Sequence, residues 1–411
     1  MSPATETIKA AATKLQPEAV EFFKEIIRIP SLSGQEGPVI KVISEQMKAV
    51  GFDEVRIDPF GNVMGRIGSG SRVMAFDAHV DTVDVGDLKS WKSDPYAAET
   101  RDGVIYGRGA SDQKGGMAAL VYAGALIKQL AIEGDMTVWM VGSVCEEDCD
   151  GLCWHYILKE KVLAPELVIL TEPTNLNLYR GQRGRMEIQV VAPGVSCHGS
   201  APERGINAIH RIAPVINEVD QLNKKLAFDP FLGAGTITSS EIRSTSPSLC
   251  AVADSCSLHL DRRLTAGEDD NTAIAEIKAI CESVDNAQSD TVKRIGNIEV
   301  KVPTYEKPSY TGLVYPMRQY FPAWALSETH EFTKMGLAAR KLALGEAGVS
   351  GKWTFSTNGV STMGLHNVPT LGFGPGNEVH AHSLTDQCPV DHIGAAIAFY
   401  TAFVSLFAQG K

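Results

Sequence analysis

Apolar and polar positions in the first 180 residues switch repeatedly between a helical and a strand-like period. Residues 19 to 50 read as helices on either side of the break RIPSLSGQEG, and the short runs EVRID, NVMGRIG and RVMAFDAHV follow as strands. GGMAALVYAGALIKQLA, residues 115 to 131, has the composition of a well-buried helix, and DMTVWMVGSV and ELVILTE are continuous apolar strands. Unbroken apolar strands separated by helices predict an α/β sheet covered on both faces.

The texture changes at YRGQRGR, residues 179 to 185. MEIQVVA and CAVADSCSLHLDRRL alternate apolar with polar residues, as strands with one wet face do. Helical segments at about 206 to 224 and 268 to 284 complete a β-α-β-β-α-like set, which predicts a smaller α+β, ferredoxin-like insertion. After VKVPTYEKPSYTG the α/β texture returns, with a helix expected to start near Ser327, a favourable N-cap, and a strand in VPTLGFGPG. The expected division is residues 1–181 and 306–411 for the α/β domain and 182–305 for the insertion, a normal domain size.

Polar residues interrupt this pattern where the apolar strands finish. VMAFDAHVD ends in His79 and Asp81, and VIYGRGASDQKGG delivers Asp112 just before the buried helix. TVWMVGSVCEE ends in Glu146 and Glu147, LVILTE in Glu172, and VPTLGFGPGNEVHAH in His380 and His382. Ligands of open α/β sheets sit beyond the carboxyl ends of the strands, so these groups are expected to share one crevice. Gathered without compensation, the acids would repel and drive one another's pKa upward. Divalent cations remove that cost, and mixed oxygen and imidazole ligands suit a pair of Zn²⁺ or similar ions able to clamp a hydrolytic transition state. Taken singly, each motif has an ordinary reading. HxD is commonly a turn with a satisfied histidine, EE a solvated surface, and TEPT a helix start. SDQKGG lacks the spacing of a nucleotide loop. Their order and shared topological position carry the inference.

The chain has 411 residues and a net charge of −11. That disfavours nucleic acid and anionic membranes, both of which reward clustered Lys and Arg. No window reaches 18 uncharged apolar residues, so no bilayer span is expected, and the N-terminus lacks the plan of a signal peptide. Eight scattered cysteines then suggest reduced thiols in a cytoplasmic protein. Cys145, Cys149 and Cys153 recur every four residues. They read either as one helical face able to bind a soft metal or as small buried residues around an acidic turn, and the loop signal in CEEDCDG favours the second.

With these motifs together the sequence resembles the M20 metallopeptidases and deacylases, which include acetylornithine deacetylase, succinyl-diaminopimelate desuccinylase and glutamate carboxypeptidase. The resemblance spans nearly the whole chain and is carried by HVDTV, YGRGASDQKGG, EEDCDG, TEP, CHGSAPERGINAI and GFGPGNEVHAH. Its tail, GPGNEVHAHSLTDQ, is most similar to a group labelled selenium-metabolism-linked hydrolases. The family implies a zinc-peptidase-like mixed sheet with helices on both faces, interrupted by a lid or dimerisation domain, and hence a homodimer. It also implies two divalent ions, Zn²⁺ with Co²⁺ or Mn²⁺ as alternatives, and a small N-acyl amino acid, dipeptide or carbamoyl amino acid as substrate.

Carried over by position, the resemblance makes His79 and Glu172 ligands of one ion, Glu147 and His382 ligands of the other, and Asp112 the bridge, with His380 as the rival of His382. Asp81 would orient His79, and Glu146 would be the general base. His198 would reach in from a partner subunit to stabilise an oxyanion, its ordinary reading being a satisfied loop histidine. Asn207 and Arg263 would grip a substrate carboxylate, with Arg262 as the near rival and a strand-surface salt bridge as the ordinary reading of Arg263. Three departures stand out. Asp386-Gln387 replaces an Asp-Glu pair, Gln113 replaces a methionine with no expected consequence, and Asn358 stands where many relatives carry Asp, a change expected to affect the substrate pocket. A catalytically silent binding protein is the non-enzyme alternative; retention of Glu146 and of every ligand position counts against it.

Overall fold

The computed structural model describes residues 3–410. Helices α1 (Pro3–Ile27) and α2 (Gly37–Ala49) lead into strands β1 (Glu54–Ile57), β2 (Val63–Gly68) and β3 (Arg72–His79). Then come α3 (Gly115–Leu130), β4 (Met136–Ser143), α4 (Leu152–Lys159), β5 (Leu167–Leu170) and β6 (Leu178–Gln182). The chain next builds β7 (Gly184–Pro193), α5 (Ala208–Asn223), β8 (Thr236–Thr245), β9 (Ser255–Leu264), α6 (Asp270–Asn286) and β10 (Glu299–Lys301). It finishes with α7 (Glu331–Leu344), β11 (Ser350–Trp353), β12 (Thr370–Gly372) and α8 (Val390–Gln409). Two compact units result. One takes the chain through Gln182, Glu306–Tyr315 and everything from Ala325 onward; the other takes Arg183–Tyr305 and Pro316–Trp324.

In the first unit the sheet order is β1-β2-β4-β3-β5-β12-β6, with β11 paired to β6. β4, β3, β5 and β12 run parallel, and every residue of β4 and β5 is buried, the expected burial of a sheet covered on both faces. Their carboxyl ends therefore open on one edge. Two glycines let the layers close there. A Cβ on Gly116 would lie 2.2 Å from Thr171 Oγ1, and one on Gly374 would lie 2.0 Å from the Thr171 carbonyl oxygen.

By length and composition α8 is apolar enough to cross a membrane, with a mean hydropathy of 1.5. Here it is a core helix, 67% buried, packed against α1, α3 and α7. Phe399 stacks on Phe373, and the Tyr400 hydroxyl donates to the Phe373 carbonyl at 2.8 Å.

The second unit is an antiparallel sheet, β8-β9-β7-β10, with α5 and α6 on one face. β7 and β9 alternate buried and half-buried residues along their whole length. Met186, Ile188, Val190, Leu258 and Leu260 point into a core shared with Ile212 and Val215 of α5 and Ile277 of α6. The architecture is thus mixed α/β with a smaller α+β unit inserted in it.

One element start differs from expectation. The helix anticipated near Ser327 begins at Glu331, capped by His330, whose Nδ1 accepts from the Phe332 amide. Ser327 instead closes a preceding turn, accepting from the Thr329 amide at 3.2 Å.

Candidate metal centre

His79 is the last residue of β3, and its ring is buried. His79 Nε2 is 2.8 Å from Asp112 Oδ1, 3.6 Å from Glu172 Oε1 and 4.0 Å from Glu146 Oε2. The other oxygen of the same aspartate, Oδ2, is 3.3 Å from His382 Nε2, which is 2.8 Å from Glu147 Oε2. Two donor groups result, His79/Asp112/Glu172 and Asp112/Glu147/His382, each with one ligand atom per residue clustered within 4.8 Å. Asp112 belongs to both, offering one oxygen to each side. His382 adopts a left-handed backbone, φ 55°, an uncommon state for a non-glycine residue that persists where surrounding contacts enforce it. His380 is outside both groups; its Nδ1 lies 3.2 Å from Thr385 Oγ1 and its Nε2 2.8 Å from Gln387 Nε2.

Burial dominates the electrostatics. Loss of water pushes Glu146 and Glu172 well above the usual carboxylate range, with neighbouring acids adding to it, and pushes Glu147 up to about 7. Burial also acts to raise Asp112, but hydrogen bonds from His382 and His79 outweigh it and hold this carboxyl below its ordinary value. His382 is raised to about 10 by hydrogen bonding to Asp112 and Glu147. For His79, desolvation opposes protonation, yet the charge of Glu172 and the bonds to Asp112 and Asp81 carry it well above the usual imidazole value. The cluster draws in positive charge at both histidines.

The surrounding chain fixes these groups. The Asp81 carboxylate accepts from the Glu146 amide at 3.2 Å and the Glu147 amide at 3.0 Å, and lies 3.5 Å from His79 Nδ1. The closer partner of Nδ1 is the Asp81 carbonyl, at 3.0 Å. Asp386, which is buried, accepts from the amides of Gly109 and Ser111, both at 2.8 Å, and pairs with Arg108 at 3.1 Å; it thereby shapes the turn presenting Asp112. Gln113 has a structural task after all: it accepts from Thr171 Oγ1 at 2.6 Å, beside Glu172. Asp386, Arg108 and Gln113 were not singled out as site residues by the sequence. The only local signal was the departure from the family pattern at 113 and 386–387.

Asn358 is buried, 1% exposed, so any effect it has on a pocket passes through its neighbours. Its Nδ2 donates to Asp77 Oδ2 at 2.8 Å and Ser143 Oγ at 3.2 Å, while its Oδ1 accepts from the Gly151 amide at 3.0 Å. Asn358→Asp would set two carboxylates against each other and force them to share a proton. The pair's folded pKa then exceeds its unfolded value, so its stability is present below the unfolded pKa and lost as pH rises, at up to about 1.4 kcal/mol per pH unit. The melting temperature of this variant is expected to fall further below wild type at pH 8 than at pH 5; equal deficits at both would contradict the pairing.

Cys145 and Cys149 lie between β4 and α4, and Cys153 lies in α4. All three are buried, and neither candidate metal group includes them.

His198, Asn207 and Arg263 belong to the second unit, and neither metal group draws on them. His198 is exposed, its Nδ1 2.7 Å from Ser200 Oγ. Asn207 caps α5 by accepting from the Ile209 amide. Arg263 is held by Asp261 through two contacts of 2.8 and 3.1 Å, the strand-surface ion pair weighed above. Arg262 is buried against Glu268 and Glu276.

The donor set fits a divalent cation. Glu146 Oε1, Glu147 Oε1 and Glu172 Oε2 are buried without a hydrogen-bond partner, and buried acceptors of this kind are costly unless a donor or cation meets them. Imidazole and carboxylate together suit Zn²⁺, Mn²⁺ or Co²⁺. The two donor groups, at the carboxyl ends of the parallel strands of a mixed sheet, make a candidate site for divalent cations.

Comparison with known proteins gives the class. The chain belongs to peptidase family M20/M25/M40, whose pattern matches residues 75–406, and is a metal-dependent amidohydrolase of that family. It is 49% identical over 391 residues to the uncharacterized protein YgeY of Escherichia coli strain K12, covering 95% of this chain and 94% of that one. It is 30% identical over 227 residues to a succinyl-diaminopimelate desuccinylase of Gluconacetobacter diazotrophicus, covering 51% of this chain and 58% of that enzyme. The fold matches that of the dipeptidase Dug1p from Saccharomyces cerevisiae over the whole of both chains, with a TM-score of 0.72 at 13% identity.

Proposed function

We propose that this protein hydrolyses an amide bond in a small N-acyl amino acid or dipeptide, using two divalent ions, Zn²⁺ foremost, that share Asp112. The observation that carries the reading is the placement of Asp112, with Oδ1 toward His79 and Oδ2 toward His382. His79 and Glu172 would hold one ion and Glu147 and His382 the other. Bound there, such ions supply Lewis acidity toward water and toward a carbonyl.

Glu146 does the proton work. Its Oε2 lies near His79, its Oε1 is unpartnered, and its raised pKa suits a group that accepts a proton from water and returns it to the leaving nitrogen. The likeness to the desuccinylase supports an N-acyl amino acid; a dipeptide or N-carbamoyl amino acid is the alternative. His198 is assigned to the oxyanion from a partner subunit. Asn207 and Arg263 are assigned to the substrate carboxylate, at the cost for Arg263 of exchanging Asp261 for substrate. A silent binding protein is disfavoured by the presence of Glu146 alongside both donor groups.

A screen of N-acetyl, N-succinyl and N-carbamoyl amino acids and of dipeptides, each with Zn²⁺, Co²⁺ or Mn²⁺, tests the reading. Turnover is expected in one class and only with metal; no hydrolysis under any combination would end it. His198→Ala is expected to lower kcat while leaving bound metal unchanged. Mixing His198→Ala with Glu146→Gln subunits should restore part of the activity, because one site of each mixed dimer keeps both groups. Mixtures that stay inactive would exclude action across subunits.

A further inference from the structure

The segment between α1 and α2, PSLSGQEG, looks in the sequence like a helix break. In the fold it is wedged behind the metal centre. Ser31 donates from Oγ to the Val80 carbonyl at 2.7 Å and accepts at its own carbonyl from the Thr82 amide at 2.8 Å. Ser33 Oγ donates to Asp81 Oδ2 at 2.7 Å. Lys114, fully buried, ties in the end of α1 by donating to the carbonyls of Ile26 and Ile29 at 3.0 and 2.8 Å.

Glu36 closes the wedge. It occupies the N-cap of α2, yet its side chain makes no capping bond. It is fully buried, and its Oε1 accepts from the Cys145 amide at 3.0 Å. The next two amides along the chain, Glu146 and Glu147, are taken by Asp81. Two buried acids from separate segments thus hold three successive N–H groups. Cys145 is kept in a left-handed conformation, φ 61°, which a non-glycine residue leaves unless its surroundings enforce it. Relaxation there would redirect the side chain that follows, that of Glu146.

We infer that Glu36 is a positioning residue that fixes the backbone of Cys145–Glu147 and so aims Glu146. The inference rests on the reading of Glu146 as the base, but one of its tests does not. In Glu36→Ala, hydrogen exchange at the amides of residues 145–147, followed by mass spectrometry, is expected to quicken at least about 10-fold, as the Cys145 donor loses its acceptor. On a substrate that wild type hydrolyses, kcat is expected to fall about 100-fold at saturating metal, the scale of a misplaced catalytic group, with KM unchanged. Glu36→Gln, which keeps an acceptor oxygen, should restore both exchange protection and kcat. A merely structural role would move KM and melting temperature together and would not be rescued selectively in kcat.

Wild-type exchange in Glu36→Ala overturns the inference whatever the substrate screen finds, and so does quickened exchange with unchanged kcat. If wild type hydrolyses nothing, the proposed function fails, while the exchange result alone still decides whether Glu36 holds the loop. Should Glu36→Ala fail to fold, Glu36→Asp withdraws the oxygen by one methylene and is read the same way.

Discussion

Glu146→Gln is expected to lose about 10³-fold in kcat while keeping its bound metal. Glutamine matches glutamate in shape but cannot take a proton from water, and general-base contributions are commonly about 10² to 10⁴-fold. The flanking geometry argues for a clean effect. The Glu146 main chain is anchored through its amide to Asp81, so the loop does not depend on the side-chain charge. Neither donor group includes Glu146, so metal content, measured by elemental analysis after dialysis, should match wild type. KM should change little. Unchanged turnover would remove Glu146 from the mechanism; parallel loss of metal would make it a ligand instead of a base.

The second large effect is expected at Asp112. Asp112→Asn keeps the shape but offers one weak acceptor and an N–H₂ donor where two carboxylate oxygens had faced His79 and His382. Metal titration should then show at most one tightly held ion in place of two, and turnover should fall at least as far as in Glu146→Gln. A second readout is thermal. An ion that binds only the folded chain raises stability by about 2.7 kcal/mol when present at a hundredfold excess over its Kd. Added Zn²⁺ should therefore raise the melting temperature of wild type more than that of Asp112→Asn. Equal stoichiometry and equal thermal gain in the two proteins would show that Asp112 bridges nothing.

What the sequence revealed here was whatever local pattern encodes. Apolar runs marked β3, β4 and β5, and the polar residues that end them stand out because a charged group after a buried strand is anomalous. His79, Asp112, Glu147, Glu172 and His382 were visible for that reason, and the structure brings those five side chains together. The inserted unit was visible in the switch from continuous to alternating burial, which β7 and β9 display. The supports were not legible. Glu36 meets Cys145 across 109 positions of chain, and Asn358 meets Asp77 across 281. Nothing near either residue announces its partner, and an asparagine or glutamate in a loop reads as solvated until the fold buries it. Arg263 shows the reverse limit: a carboxylate-gripping residue and an ion-paired one are the same letter, and only Asp261, two residues back on the same strand face, separates the readings.

The packing of α8 against α1 orders the birth of the molecule. The second unit is drawn almost entirely from Arg183–Tyr305, so most of it leaves the ribosome well before residue 390 is made. The first unit must wait: until α8 arrives, Phe76 lacks Tyr400 and Phe373 lacks Phe399, leaving an uncovered apolar layer on the nascent chain. Domains generally mature as separate units during synthesis, and uncovered apolar surface invites aggregation. In this protein the segment that forms the second unit is made before the helix that covers the apolar layer of the first.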